Sequence, residues 1–240
     1  MYTDYNRFSV NAFTAVSDAW GLLSSNYWPF FGVTSILLVA VCCIPAGGLL
    51  APFLTAGIYA MVFRSLRGEQ YDLSTAFGDG FKGKSWRVFF AAVVAGLPWL
   101  PLTVMSQMID RIEKAPQETV AIFLIAALVF FAIAMVWGLT CVFWIPLIVD
   151  KDLSFGEAFG LSARAAWMNL PGLVLLYIIS GVILTIGMLA VCLGMLFVYP
   201  LVMVAYAFAY RQVFPDDKLP SPGHEPPPPD AYPGVFGQRI

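Results

Sequence analysis

Four stretches of this chain carry no Asp, Glu, Lys or Arg: Ala19 to Phe63, Val88 to Ile109, Thr119 to Val149, and Ala165 to Tyr210. A helix that crosses a bilayer needs about 20 apolar residues. The second and third stretches each fit one such helix, and the first and fourth are long enough for two. The expected fold is therefore an all-α polytopic membrane protein with six transmembrane helices in three hairpins. Composition agrees, because 60% of the residues are hydrophobic and 12% charged, against about 25% charged in soluble domains. Lipid is the solvent for most of such a chain.

Within the fourth stretch the break is expected in Gly187 to Gly194, where two glycines bracket an apolar turn. In the first it falls at Ile44-Pro45-Ala46-Gly47-Gly48, since proline and paired glycines end helices most readily. The arms of that first hairpin sit at the lower limit of a span. A re-entrant pair that enters and returns is the alternative there.

Basic residues orient the spans. Arg7, Arg64, Arg67, Lys82, Lys84, Arg87, Lys151, Arg164, Arg211, Lys218 and Arg239 fall on one face, and only Arg111 and Lys114 on the other. Loops rich in Lys and Arg stay in the cytoplasm. Both termini are expected there. The N-terminus lacks the positive region and apolar core of a signal peptide, so the first apolar run is expected to remain as an anchor.

An amphipathic segment precedes each hairpin. Phe13, Val16, Trp20 and Leu23 recur at helical spacing, as do Leu73, Phe77 and Phe81, and Phe155, Phe159, Ala163 and Ala166. Ser154 with Glu157 makes the S-x-x-E pattern of a capping box and sets the start of the third segment. Placed just before membrane runs, all three are expected to lie in the interface plane on the cytoplasmic side. Asp72 to Gly78 echoes Asp152 to Gly160. Pro52, Tyr59 and Arg64 match Pro200, Tyr206 and Arg211, and Asn26 and Asn169 each stand just before a hairpin. The reading is a membrane domain over 1–214 built of three pseudo-repeats, about 8–67, 72–149 and 152–214. A proline-rich tail over 215–240 follows, expected to be a disordered cytoplasmic terminus rather than a docking peptide.

The chemistry is bounded by what the spans lack. Hydrolysis in a membrane needs a nucleophile with its base, or a metal with its ligands, and the sole histidine, His224, lies in the tail. Ion-coupled transporters usually carry ionisable residues within their spans, and these spans carry none. No catalytic residue, metal ligand or cofactor is expected, and the chain reads as no enzyme. Net charge is −2, which gives no basic field for nucleic acid. Cys42, Cys43, Cys141 and Cys192 all sit in apolar runs without metal-ligand spacing and read as small buried hydrophobes.

One irregularity inside a span is a candidate ligand or packing site. Pro98, Trp99 and Pro101 interrupt the second stretch, where two prolines free backbone carbonyls, and Thr103, Ser106 and Gln107 follow toward the far interface. A kinked helix packed on its neighbours is the favoured reading of the prolines, and hydrogen bonds across helices explain the three polar residues equally. Tyr27, Trp28, Trp86, Trp144, Trp167 and Tyr210 stand at the predicted boundaries, as a belt of interfacial anchors would.

Gly57-Ile58-Tyr59 through Arg67-Gly68-Glu69, Phe143 through Asp150, Ser162 to Asn169, and Tyr199-Pro200 through Arg211 together resemble the uncharacterised bacterial multipass families related to the membrane domain of glycerophosphodiester phosphodiesterases. The resemblance implies six spans with interfacial helices and brings no catalytic residues. The expected function is a non-enzymatic protein of a bacterial inner (cytoplasmic) membrane, acting through membrane lipids or other membrane proteins as an accessory subunit of a larger membrane complex. The alternative is a channel or transporter for a small or amphiphilic molecule.

Overall fold

A computed structural model describes residues 5–43, 47–69, 74, 78, 85–112, 115–190 and 193–216, with the backbone alone at 42, 43, 47, 85, 110, 111 and 193. Among these residues the chain is helical and forms no strand. The helices are α1 (Ala12–Ser25), α2 (Tyr27–Cys43), α3 (Ala51–Leu66), α4 (Ser85–Gly96), α5 (Leu100–Ser106), α6 (Ile109–Ile112), α7 (Gln117–Cys141), α8 (Trp144–Lys151), α9 (Phe155–Met168), α10 (Leu170–Leu189) and α11 (Leu193–Val213). The break at Ile44-Pro45-Ala46, the second amphipathic segment with Leu73, Phe77 and Phe81, and the tail from residue 217 lie outside the described residues.

Four helical stretches are long and apolar enough to cross a bilayer: Trp86–Ser106, Gln117–Lys151, Leu170–Leu189 and Gly194–Val213. The pair α1 and α2, bent by 106°, makes a fifth if it counts as one span. With 17 and 16 residues, α2 and α3 each reach about 25 Å at 1.5 Å per residue, short of a ~30 Å hydrocarbon core.

The central helix is α11, with 44% of its apolar window buried, against 6% in the Gln117–Lys151 stretch. Around it Phe30, Ile58, Met61, Phe63, Trp144 and Tyr210 are fully buried. Two of the six expected interfacial aromatics are therefore core residues. Trp144 is clamped by Phe155 and Phe159, at ring distances of 4.7 and 4.8 Å, and its indole N–H donates to the Phe155 carbonyl at 3.0 Å. Trp28, Trp86 and Trp167 are exposed as an anchor would be.

The first amphipathic helix packs on the bundle through its small residues. Its inward stripe is Ala12, Ala15, Ala19 and Leu23, while Phe13 and Trp20 point outward. Helices packed in lipid gain nothing by hiding large apolar side chains, so small residues that permit close approach take the interface. α1 also runs alongside α11 rather than across its end. Asn11 pairs with Gln212 at one end, and at the other the Tyr27 hydroxyl donates to the Phe197 carbonyl at 2.9 Å.

Local signals are realised in the third unit. Ser154 accepts from the Glu157 N–H and the Glu157 carboxylate accepts from the Ser154 N–H and hydroxyl, completing the capping box of α9. Those hydrogen bonds hold the Glu157 carboxyl below the ordinary carboxylate range. The box is thus intact at neutral pH and comes apart only as pH falls through that lowered value. The hairpin turn falls between Leu189 and Leu193, inside the expected window. A Cβ on Gly194 would meet Ala190 Cβ at 2.7 Å, and one on Gly187 would lie 3.2 Å from the Gly194 carbonyl oxygen. Only glycines let the two arms approach so closely.

The long Gln117–Lys151 stretch breaks at Val142 and Phe143 because Pro146, in the first turn of α8, has no N–H and its ring clashes with the carbonyl four residues back. Ser162 of α9 fills the break. Its hydroxyl donates to the Thr140 carbonyl at 2.8 Å and accepts from the Phe143 N–H at 3.2 Å. Ser162 is fully buried, so Ser162→Ala strands two backbone groups in an apolar setting. The expected cost is about 1–3 kcal/mol, read as a lowered melting midpoint in detergent. An unchanged midpoint would remove Ser162 from this role.

Candidate functional site

The helix ends meet in an ionic cluster. Asp150, the penultimate residue of α8, has a side chain only 2% exposed. Its Oδ1 accepts from Arg67 Nη2 at 2.6 Å and from Arg211 Nη2 at 2.9 Å. Its Oδ2 accepts from Arg211 Nη1 at 3.1 Å and the Tyr210 hydroxyl at 2.9 Å. Asp216, just past α11, accepts from Arg67 Nε at 3.0 Å and lies 3.5 Å from Arg211 Nη1. Two guanidiniums thus face two carboxylates. Arg211, 8% exposed, also lies over the Phe63 ring at 4.4 Å, a contact that suits the weakly hydrated guanidinium. Its Nε is the unpaired atom of the cluster.

Local sequence aims these groups. Arg67 ends α3 and is followed by Gly68 at φ 70°. Asp152 ends α8 in the left-handed conformation at φ 54°, which Asp tolerates better than most residues. Arg87 secures that turn, donating to the Asp152 carboxylate at 2.8 Å and to the Asp152 and Leu153 carbonyls at 3.2 and 3.0 Å. The cluster therefore joins the ends of α3, α8 and α11 to one carboxylate. Chemically it is a tie, with Asp150 saturated by donors.

A neutral clamp adjoins it. Asn169, between α9 and α10, donates to the Asn6 and Ala165 carbonyls at 3.0 and 2.9 Å and accepts from the Ser9 N–H and hydroxyl at 2.8 and 3.3 Å. All four of its hydrogen-bonding positions are used. The Asn6 N–H reaches the Val213 carbonyl at 2.8 Å. The N-terminal arm is thereby fixed across the ends of α10 and α11.

The proline-interrupted site lies elsewhere. Leu97–Trp99 forms a 3-10 turn between α4 and α5, with Pro98 in the turn and Pro101 in the first turn of α5. Pro98, Trp99 and Pro101 are half-buried, while Thr103, Ser106 and Gln107 are exposed. The Thr103 and Ser106 hydroxyls donate to the Leu100 and Thr103 carbonyls of their own helix, each at 2.8 Å. Pro98 deprives the Val94 carbonyl of its helical donor, and the Trp137 indole N–H of α7 supplies one at 3.2 Å. Trp99 meets Phe131 edge-on at 6.3 Å. A neighbouring span thus completes the freed backbone.

Among the described residues no group of three or more His, Cys, Asp or Glu is placed to hold a metal. No family model, curated protein or solved structure matches this chain. Sequence reasoning did not pair Asp150 with Arg67 and Arg211. The available signal was that three of the apolar segments quoted for the family resemblance run up to, or end in, these residues.

Proposed function

We propose that this chain is a non-enzymatic integral protein of a bacterial inner membrane that acts through lipid or membrane-protein contacts, as an accessory subunit of a larger assembly. The observation that carries the reading is the fate of the buried charge. Asp150 is consumed by two guanidiniums and a phenol, so the charge expected to mark a catalytic or transport centre serves to tie helix ends. The outward faces of the spans support the same reading, with Ile122, Ile125 and Leu128 of α7 each more than 60% exposed.

The proposed topology has six membrane segments in three pairs, with both termini in the cytoplasm. Three pseudo-repeats underlie it. α1 and α9 each have 14 residues, and each ends at an asparagine whose N–H bonds back to the carbonyls three and four residues earlier. The short arms of α2 and α3 and the 106° bend before α2 favour a first unit that enters the bilayer and returns. Single cysteines at Gly48, Gln117 and Glu157, in a background without the natural cysteines, test this by labelling from each side of the membrane. The expectation is Glu157 cytoplasmic, Gln117 on the opposite side and Gly48 shielded from both. The subunit reading fails if crosslinking in membranes captures no partner and the protein runs alone in mild detergent.

One observation favours a channel or carrier for a small or amphiphilic molecule. Ser180 of α10 is a buried hydroxyl, and Tyr177 and Tyr206 flank one another at 6.1 Å. Flux of a neutral polar solute into proteoliposomes, lost in Tyr206→Phe, would establish that reading.

A further inference from the structure

A groove opens between the start of α3, the middle of α4 and the first turn of α8. It encloses about 240 Å³ and is lined by Gly48, Pro52, Thr55, Phe89, Ala92 and Ile145, among others. It exists because side chains are missing where helices meet. Gly48 has open space where a Cβ would be, and Ala92 contributes one carbon opposite it. Phe53 stacks on Phe89 at 5.9 Å and 13°, which joins α3 to α4 beside the groove.

We propose that this groove holds one acyl chain of a membrane lipid. The proposal rests on the membrane reading above and names the lipid contact. α4 belongs to the Trp86–Ser106 stretch and α8 to Gln117–Lys151, both apolar and long enough to cross a bilayer. The medium outside the groove is then hydrocarbon. Water is a poor occupant, since a bound water needs two to four polar partners and Thr55 brings the one side-chain hydroxyl among the lining residues. An empty groove forfeits dispersion contacts along its walls. The volume lies below the range of pockets for drug-sized ligands and suits a linear chain.

Among the described residues that line the groove none is charged, and Arg87, at the start of α4, is engaged with Asp152 and Leu153. The site therefore selects the chain and is indifferent to the headgroup. Because lipid tails are as apolar as the walls, discrimination comes from packing alone.

The test uses the full chain in vesicles of phosphatidylethanolamine and phosphatidylglycerol, with a trace of phospholipid carrying a diazirine in its acyl chain. After irradiation, adducts are mapped by peptide. Adduct density over 48–55 and 89–93 is expected to exceed that over the exposed α7 segment 122–128 several-fold, equally for either headgroup. Ala92→Trp, and independently Val93→Phe, should abolish the excess and leave α7 unchanged. Equal density at both places would mean ordinary bilayer contact and overturn the groove, as would an excess that survives both substitutions. Adducts on α7 with none in the groove overturn it while sparing the membrane reading, and adducts at neither place overturn the membrane reading itself.

Discussion

Asp150→Asn is expected to cost about 3–5 kcal/mol, the usual consequence of removing one partner from a buried ion pair. Asparagine keeps the shape but replaces one accepting oxygen with an NH2 group that faces donors. It leaves Arg211, 8% exposed, and Arg67 facing Asp216 alone, with an uncompensated charge at the junction of α3, α8 and α11. Since a domain's whole stability is about 5–15 kcal/mol, the detergent-solubilised variant should melt far below the native protein. Asp152→Asn is the matched comparison, two residues away. Its partner is Arg87 and the two side chains are 58% and 36% exposed, so the loss should be about 0–1 kcal/mol. Adding Arg211→Met to Asp150→Asn restores neutrality and should recover part of the loss. If both single variants melt alike, the cluster is not the tie described.

The contrast between these two aspartates also shows what a sequence exposes to reading. Both stand in the same Asp150-Lys151-Asp152 run, and nothing local distinguishes them. Their difference is made by α3 and α11, more than sixty residues away on either side, whose ends converge on one carboxylate and miss the other. Features made by neighbours in sequence were legible: the capping box of Ser154 and Glu157, the glycine-bracketed turn after α10, and the need for a donor at the carbonyl freed by Pro98. The donor itself, Trp137, was not, because it arrives from another helix.

Which residues of α1 meet the bundle was not legible for a different reason. The spacing of Phe13, Val16, Trp20 and Leu23 marks an apolar face without saying what that face meets, and only in water would burial of such groups against the protein be the driving force. In lipid that force is absent between helices, and the alanines between the aromatics carry the contact. The same inversion explains why Trp144 sits in the core while Trp28 and Trp86 stay outside: Trp144 has a carbonyl partner for its indole within the fold.

Gly172→Ala should give the second large effect and should act on the N-terminal arm. A Cβ at Gly172 would fall on the Val10 carbonyl oxygen, with Val10 Cβ and C at 2.8 and 2.9 Å. Two of these three atoms are backbone and cannot rotate away. The arm cannot retreat either without surrendering Asn169 and Gln212, which hold residues 6, 9 and 11. Overpacking of this kind costs about 1–3 kcal/mol, and the loss should be focused: residues 5–11 become sensitive to protease and α1 loosens along α11. Gly181→Ala, on the same helix, meets nothing within 4 Å and should lie within about 0.5 kcal/mol of the native protein. Equal protease resistance in the two variants would mean that the arm does not sit across the start of α10. A released arm with an intact bundle would instead show that Gly172 is kept free of a side chain to seat α1, whose small-residue stripe against α11 depends on where that arm begins.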